Sequence, residues 1–171
     1  MNNPASVHPK SHPHALRHLL NLQGIDGESQ DKTHPKAIQV IFWEWTVSQP
    51  SSMHVNSGGG SGKASFSGLE FKHEIDRASP NLFLYSATGK HIPKAELIMR
   101  KAGGTALEYF RITMEDVLIT KVHPSADAGY AIESVGLSFA KIKQEYVVQN
   151  AQGGSMGAVT AAFDIKANKA L

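Results

Sequence analysis

The 171-residue chain contains no cysteine. That absence removes disulfides, thiolate metal sites and cysteine nucleophiles together. A chain without thiols passes between reducing and oxidising compartments with its covalent structure unchanged. Long apolar runs are missing too. None exceeds stretches such as VIFW at 40–43, far short of the ~20 residues that a membrane-spanning helix needs. Charge of one sign is scarce: the formal net charge is +2, with no basic block and no interleaving of basic and aromatic residues. That pattern argues against nucleic acid as a partner. The N-terminal MNNPASVHPKSHPHALRHLL carries prolines and histidines where a signal peptide would have its apolar segment, so none is expected. What remains, 41% hydrophobic and 19% charged residues over this length, is the profile of one globular unit with a sizeable core.

The stretch SSMHVNSGGGSGKA at 51–64 invites a phosphate-cradle reading. A phosphate loop requires a glycine where this chain has Ser57 and a hydroxyl where it has Ala64. The following KASFSGLEFKHEI has no helical stripe to place amide groups on a phosphate. The cradle reading is rejected.

Other chemistry is equally thin. His8, His12, His14 and His18 sit in a proline-broken stretch that offers a metal no rigid ligand set. His34, His54, His73, His91 and His123 are scattered without ligand spacing. No Gly-x-Ser-x-Gly elbow is present. The carboxylates Glu28, Asp31, Glu44, Glu115 and Asp116 show no pairing in sequence, and the adjacent Glu115 and Asp116 would point to opposite faces of a strand. Neither an enzyme nor a bound cofactor or metal is expected.

Residues 1–14 read as a Pro/His-rich disordered tail, broken by Pro4, Pro9 and Pro13, and 15–171 as a single domain. ALRHLLNL at 15–22 suits a helix or a strand, and GIDGESQDKTHP at 24–35 is a loop. AIQVIFWEWTV at 37–47 is a strand. Its alternation puts Ile41, Trp43, Trp45 and Val47 on one face, and Phe42, Glu44 and Thr46 on the other. Burying two indoles outweighs burying one unpaired carboxylate, so Glu44 should face water. A further strand spans roughly 63–75. SPNLFLYSATG at 79–89 is the expected helix, with Ser79 as N-cap, Pro80 in the first turn and Gly89 at the C-terminal left-handed position. Leu82, Phe83, Tyr85 and Ala87 give it an apolar side. KAELIMRK at 94–101, the turn AGGT at 102–105 and LEYFRITMEDVLITKV at 107–122 form a hairpin. In 131–149 the apolar parity changes between Phe139 and Ile142, which places a bulge near Ala140. GSMGAVTAAFDIKAN at 154–168 is a final strand. The whole is mainly β, an antiparallel barrel or sandwich with one helix.

Taken in order, GIDGESQDKTHP, FWEW, SSMHVNSGGGSGK, ASPNLFLYSATGKHIPKAEL, RKAGG, ESVGLSFAKIKQEYVVQ and FDIKANK resemble one family. It is Hcp, the haemolysin-coregulated protein, tube subunit of the bacterial type VI secretion system. The resemblance covers about residues 20–169. Two departures stand out: a Pro/His-rich stretch precedes the first strand (Leu19 to Leu22), and Phe163 stands where the family usually has Trp.

The resemblance implies an antiparallel two-sheet β-barrel with one short flanking α-helix. It implies a structural subunit and no enzyme: homohexameric rings that stack into a tube inside a contractile sheath, with a spike protein at the tip. Small effector proteins would ride in the channel. The protein would wait in the bacterial cytoplasm and then be secreted, outside or into a target cell, in bacterial competition or virulence. Ser52, Met53, His54, Gly58, Gly59, Gly60 and Lys63 would belong to a loop that reaches the adjacent ring. Phe42, Glu44 and Thr46 would line the channel. The alternative is a ring that carries or chaperones effectors without polymerising. No cofactor, nucleic acid or membrane insertion is implied.

Overall fold

The structure, a computed structural model, describes residues 17–50, 62–101, 107–150 and 154–171. The tail 1–14, most of the glycine-rich loop and the turn at 102–105 lie outside the described residues. The elements are β1 (Arg17–Leu22), β2 (Ile38–Ser48), β3 (Ser65–Glu74), α1 (Ser79–Thr88), β4 (Ile92–Arg100), β5 (Glu108–Ala126), β6 (Ala131–Gln149), β7 (Ser155–Asp164) and β8 (Lys169–Ala170). Within the ambiguous 15–22 region, Arg17–Leu22 is a strand. All pairings are antiparallel.

The strand order is β3-β2-β1-β4-β5-β6-β7-β8, and an additional β3–β6 pairing closes the sheet on itself. The long β6 makes this possible. Its first part, Ile132 to Leu137, pairs with β3, whereas Lys141 to Gln149 pairs with β7. β5 runs along both parts. The barrel is thus sealed at one end and opens at the other into two facing sheet layers.

Leu20, Ile38, Phe71, Leu97, Ile112 and Val135 are fully buried in the interior. Each such side chain contributes about 1.5–3 kcal/mol by leaving water. Leu19 points outward from β1 but is buried with Ile98 and Ala37, because residues 24–37 fold back over that face.

Several local expectations change. Ile41 leaves the indole face: between Val40 and Phe42 the β2–β3 register shifts, the extra residue bulges, and Ile41 is 54% exposed. Val40 is buried while Trp43 and Trp45 pack against the core, as a one-residue bulge requires. Val47 stays on the indole side but is exposed at the open end. A second bulge, on β3 opposite Thr46, uses Gly68 at φ +77. An added Cβ there would meet the Leu137 carbonyl at 2.5 Å, so only glycine fits.

The parity change near Ala140 is present without a register shift. Asp116 adopts φ 54 at this point, and the Ala140 carbonyl accepts from the Ile165 amide at 2.8 Å. Core-facing residues switch from Val117 and Phe139 to Met114 and Ile142 on both strands together. The pair bends as a unit.

Helix α1 starts one residue earlier than expected, with Ala78 as N-cap and no side-chain cap from Ser79. Asp76 does the capping instead, accepting from the Ala78 amide at 2.8 Å while Ser79 Oγ accepts from the Asp76 amide at 3.3 Å. Gly89 takes the left-handed C-cap at φ 65. Only Leu82 of the helix is buried; Phe83 and Ala87 face solvent. The last strand is shorter than expected: a turn through Asn168 (φ 53) follows Asp164, and β8 folds back on β7.

Candidate functional site

The outer face of β2, β3, β6 and β5 holds Phe42, Glu44 and Thr46, all exposed. Their inward neighbours fix this orientation. Trp45 stacks on Phe66 at 6.4 Å between ring centroids, Phe66 stacks on Phe163 at 5.5 Å, and His18 meets Trp43 edge-on at 6.4 Å. With the indoles committed inward, the alternation forces the other three side chains out.

Cross-strand register gives this face its charge pattern. Phe42 lies opposite Lys72, whose ammonium sits 5.5 Å from the ring centroid. Glu44 lies opposite Glu70, a like-charge pairing that costs stability on its own. Lys121 forms an ion pair with Glu70 by crossing β6 at Gly136. A side chain at Gly136 would crowd Lys121 Cβ at 3.3 Å. Among the described residues Glu44 forms no ion pair, and neither does Glu74 on the same outward face of β3.

The second feature is a pair of open strand edges. Among the described residues β1 covers β2 only at Ile38 to Val40, and residues 42–48 are paired with β3 alone. β7 meets β8 only at Phe163 and Asp164, and its preceding residues are exposed along their length. Met156 is 69% and Val159 66% exposed. Between these edges an apolar cleft of about 350 Å³ is lined by Trp45, Val47, Phe66, Ile142 and Phe163.

A third feature anchors residues 24–37. The Asp31 carboxylate accepts from the Thr33 and His34 amides at 2.9 and 3.1 Å and forms a buried ion pair with Arg100. Burial works against its charge, but the two amides and the Arg100 guanidinium outweigh that cost and hold the carboxyl below its ordinary range. His34 Nε2 contacts Glu108 at 2.6 Å, and Arg111 donates to the other Glu108 oxygen at 2.5 Å. Burial likewise opposes charge on Glu108, and these two partners lower its pKa nonetheless.

Of the loop residues expected at the ring-to-ring contact, Ser52, Met53, His54, Gly58, Gly59 and Gly60 lie outside the described residues, and Lys63 is exposed. Sequence reading missed Glu70, Lys72 and Lys121 as neighbours of Glu44. No sequence signal could have found them, since Lys121 and Glu70 are separated by 51 positions. It also missed the Asp31–Arg100 pair. Among the described residues no group of three or more His, Asp or Glu could hold a metal. No helix of the described residues is long and apolar enough to cross a membrane.

Comparison with known proteins agrees with this geometry. A family described as type VI secretion system effector, Hcp, matches residues 19–146. The chain is 39% identical to Protein hcp1 of Pseudomonas aeruginosa over 84% of its length and 90% of that protein. Among solved structures, Hcp1 from Salmonella typhimurium is similar at 47% identity and a TM-score of 0.78, covering 92% of this chain and 99% of that one. A type VI secretion system effector from Yersinia pestis aligns at 37% identity and a TM-score of 0.71, over 86% and 98% of the two chains. The chain belongs to the Hcp family, secreted proteins of the type VI secretion system.

Proposed function

We propose that this chain is the tube subunit of a type VI secretion system: six copies close into a ring, rings stack into a tube, and the channel carries small effector proteins. The observation that carries the reading is the pair of open edges on an otherwise sealed barrel, at residues 42–48 of β2 and along β7. Exposed edges invite pairing and are normally blunted or covered. Two different edges on one subunit suit a head-to-tail contact, which closes when the rotation per copy is right. Met156 and Val159 supply apolar surface for that contact.

In this reading Phe42, Glu44 and Thr46 face the channel. The uncompensated Glu44, repeated around a ring, gives a negative band that favours cargo with a basic patch. Ser52, Met53, His54, Gly58, Gly59, Gly60 and Lys63 make the contact between rings. Sheath and spike proteins complete the machine, which exports the tube from the cytoplasm.

Glu44→Arg tests the channel assignment: intact rings that no longer retain an effector support it, whereas broken rings place Glu44 between subunits. Deleting 54–61 should leave rings and abolish tubes. Tubes of normal length from that deletion would remove the stacking role.

A further inference from the structure

His73 is completely buried, yet it is a titratable group that the barrel does not need for apolar packing. It stands on β3 directly opposite Glu133 of β6, in the pairing that closes the barrel. Its Nε2 lies 3.0 Å from Glu133 Oε2, and Glu133 is itself buried. Its Nδ1 has no hydrogen-bond partner and lies 3.7 Å from Asp76 Oδ1. The same Asp76 oxygen accepts from the Ala78 amide and caps α1. One imidazole therefore stands between a carboxylate of the closing seam and the carboxylate that starts the helix.

The other surroundings add no competing charge. On β2 the residue paired with His73 is Val40, and on β5 the residue opposite Glu133 is Pro124. Phe71, two positions earlier on β3, packs its ring 5.6 Å from the imidazole. Lys72 and Glu74 flank His73 in sequence and alternate to the exposed side. Glu133 and Asp76 are the charged groups that face the ring.

We propose that His73 is a proton-operated latch between the barrel seam and the first turn of α1. A neutral imidazole carries one N–H. It can donate to Glu133 or to Asp76, and when it serves Glu133 its Nδ1 lone pair faces a second acceptor. The imidazolium donates at both nitrogens and closes the open contact to Asp76. Gaining a proton tightens the start of α1 against the seam, and losing it frees Asp76 to cap the helix alone. This inference stands apart from the ring reading, since all its groups lie within one subunit.

The test is amide hydrogen exchange of the full-length protein at about pH 8 and at about pH 5, corrected for intrinsic rates. The reporters are the Asp76 and Ala78 amides, both bonded to side chains at the helix start. In the wild-type protein, their protection should rise about tenfold on acidification, as befits one added charge-assisted hydrogen bond. Asp76→Asn keeps an oxygen for the Ala78 amide but removes the charge, and should make protection independent of pH. His73→Gln should do the same while the Ile75 amide, bonded to Ala131 in the seam, stays protected. If His73→Gln does not fold, Asp76→Asn alone decides. Flat protection in the wild type, or a pH response in Asp76→Asn equal to the wild type, overturns the latch.

Discussion

The two halves of β6 sit in different company. Ile132 to Leu137 has β3 on one side and β5 on the other, with Val135 and Leu137 buried. Lys141 to Gln149 has β5 and β7, and there Tyr146 and Val148 are exposed. The first half is satisfied within the chain: its backbone is paired on both edges, its apolar residues are covered, and its buried carboxylate, Glu133, has the His73 ring opposite it. The second half belongs to a layer whose last strand is open and apolar. One strand thus serves stability at one end and leaves surface for association at the other.

Substitutions should separate the halves in size of effect. Phe71→Ala, in the sealed half, should cost about 3–5 kcal/mol in urea unfolding, because a fully buried ring leaves a cavity. Val159→Ala, in the open half, should change the stability of an isolated subunit by less than about 0.5 kcal/mol. Equal costs would erase the distinction.

Asp31→Asn should come next, at about 3 kcal/mol, since it removes the charge from one member of a buried ion pair with Arg100. Its pH dependence has a definite sign. The folded carboxyl is held below its ordinary range, so the wild type's advantage is complete above about pH 4, the ordinary carboxylate value. It fades as pH falls through the lower folded value. A stability gap that widens in acid would contradict this assignment.

Gly68→Ala, at the junction of the halves, should cost about 1–2 kcal/mol from its positive φ alone, and more if the Leu137 carbonyl must move. Lys121→Ala should be mild as well, below about 1 kcal/mol, because the Lys121–Glu70 pair is exposed. A loss of several kcal/mol there would mean that the outer face is not a free surface.

How much of this was legible in the sequence varies by residue. Trp43 and Trp45 announced their inward face by alternating with Glu44 over consecutive positions, and Gly89 announced the end of α1. Ile41 did not announce its bulge, because a bulge is defined by the partner strand, and nothing in 37–47 specifies where Lys72 and His73 will pair. Phe83 looked like core on propensity, but α1 meets the barrel along a narrow strip through Leu82 and Tyr85, and Phe83 and Leu84 are left outside. The exposure of Phe42, Glu44 and Thr46 follows from local alternation. The like-charged Glu70 beside Glu44 and the lysine that crosses Gly136 are products of long-range register, which single-sequence reading does not reach. The seven block matches to Hcp carried the family, and none of them carried these contacts.

The measurement closest to the central claim is the solution mass of the wild-type protein beside Met156→Lys/Val159→Lys, by sedimentation at micromolar concentration. Two lysines on β7 leave the sealed half untouched and put charged side chains where the open β7 edge would meet the β2 edge of the next copy. The expected result is a sixfold mass for the wild type and a single-subunit mass for the variant, with unchanged thermal unfolding of the subunit. A wild type that sediments as a monomer, or a variant that keeps the wild-type mass, would contradict the claim that the open half is where copies meet.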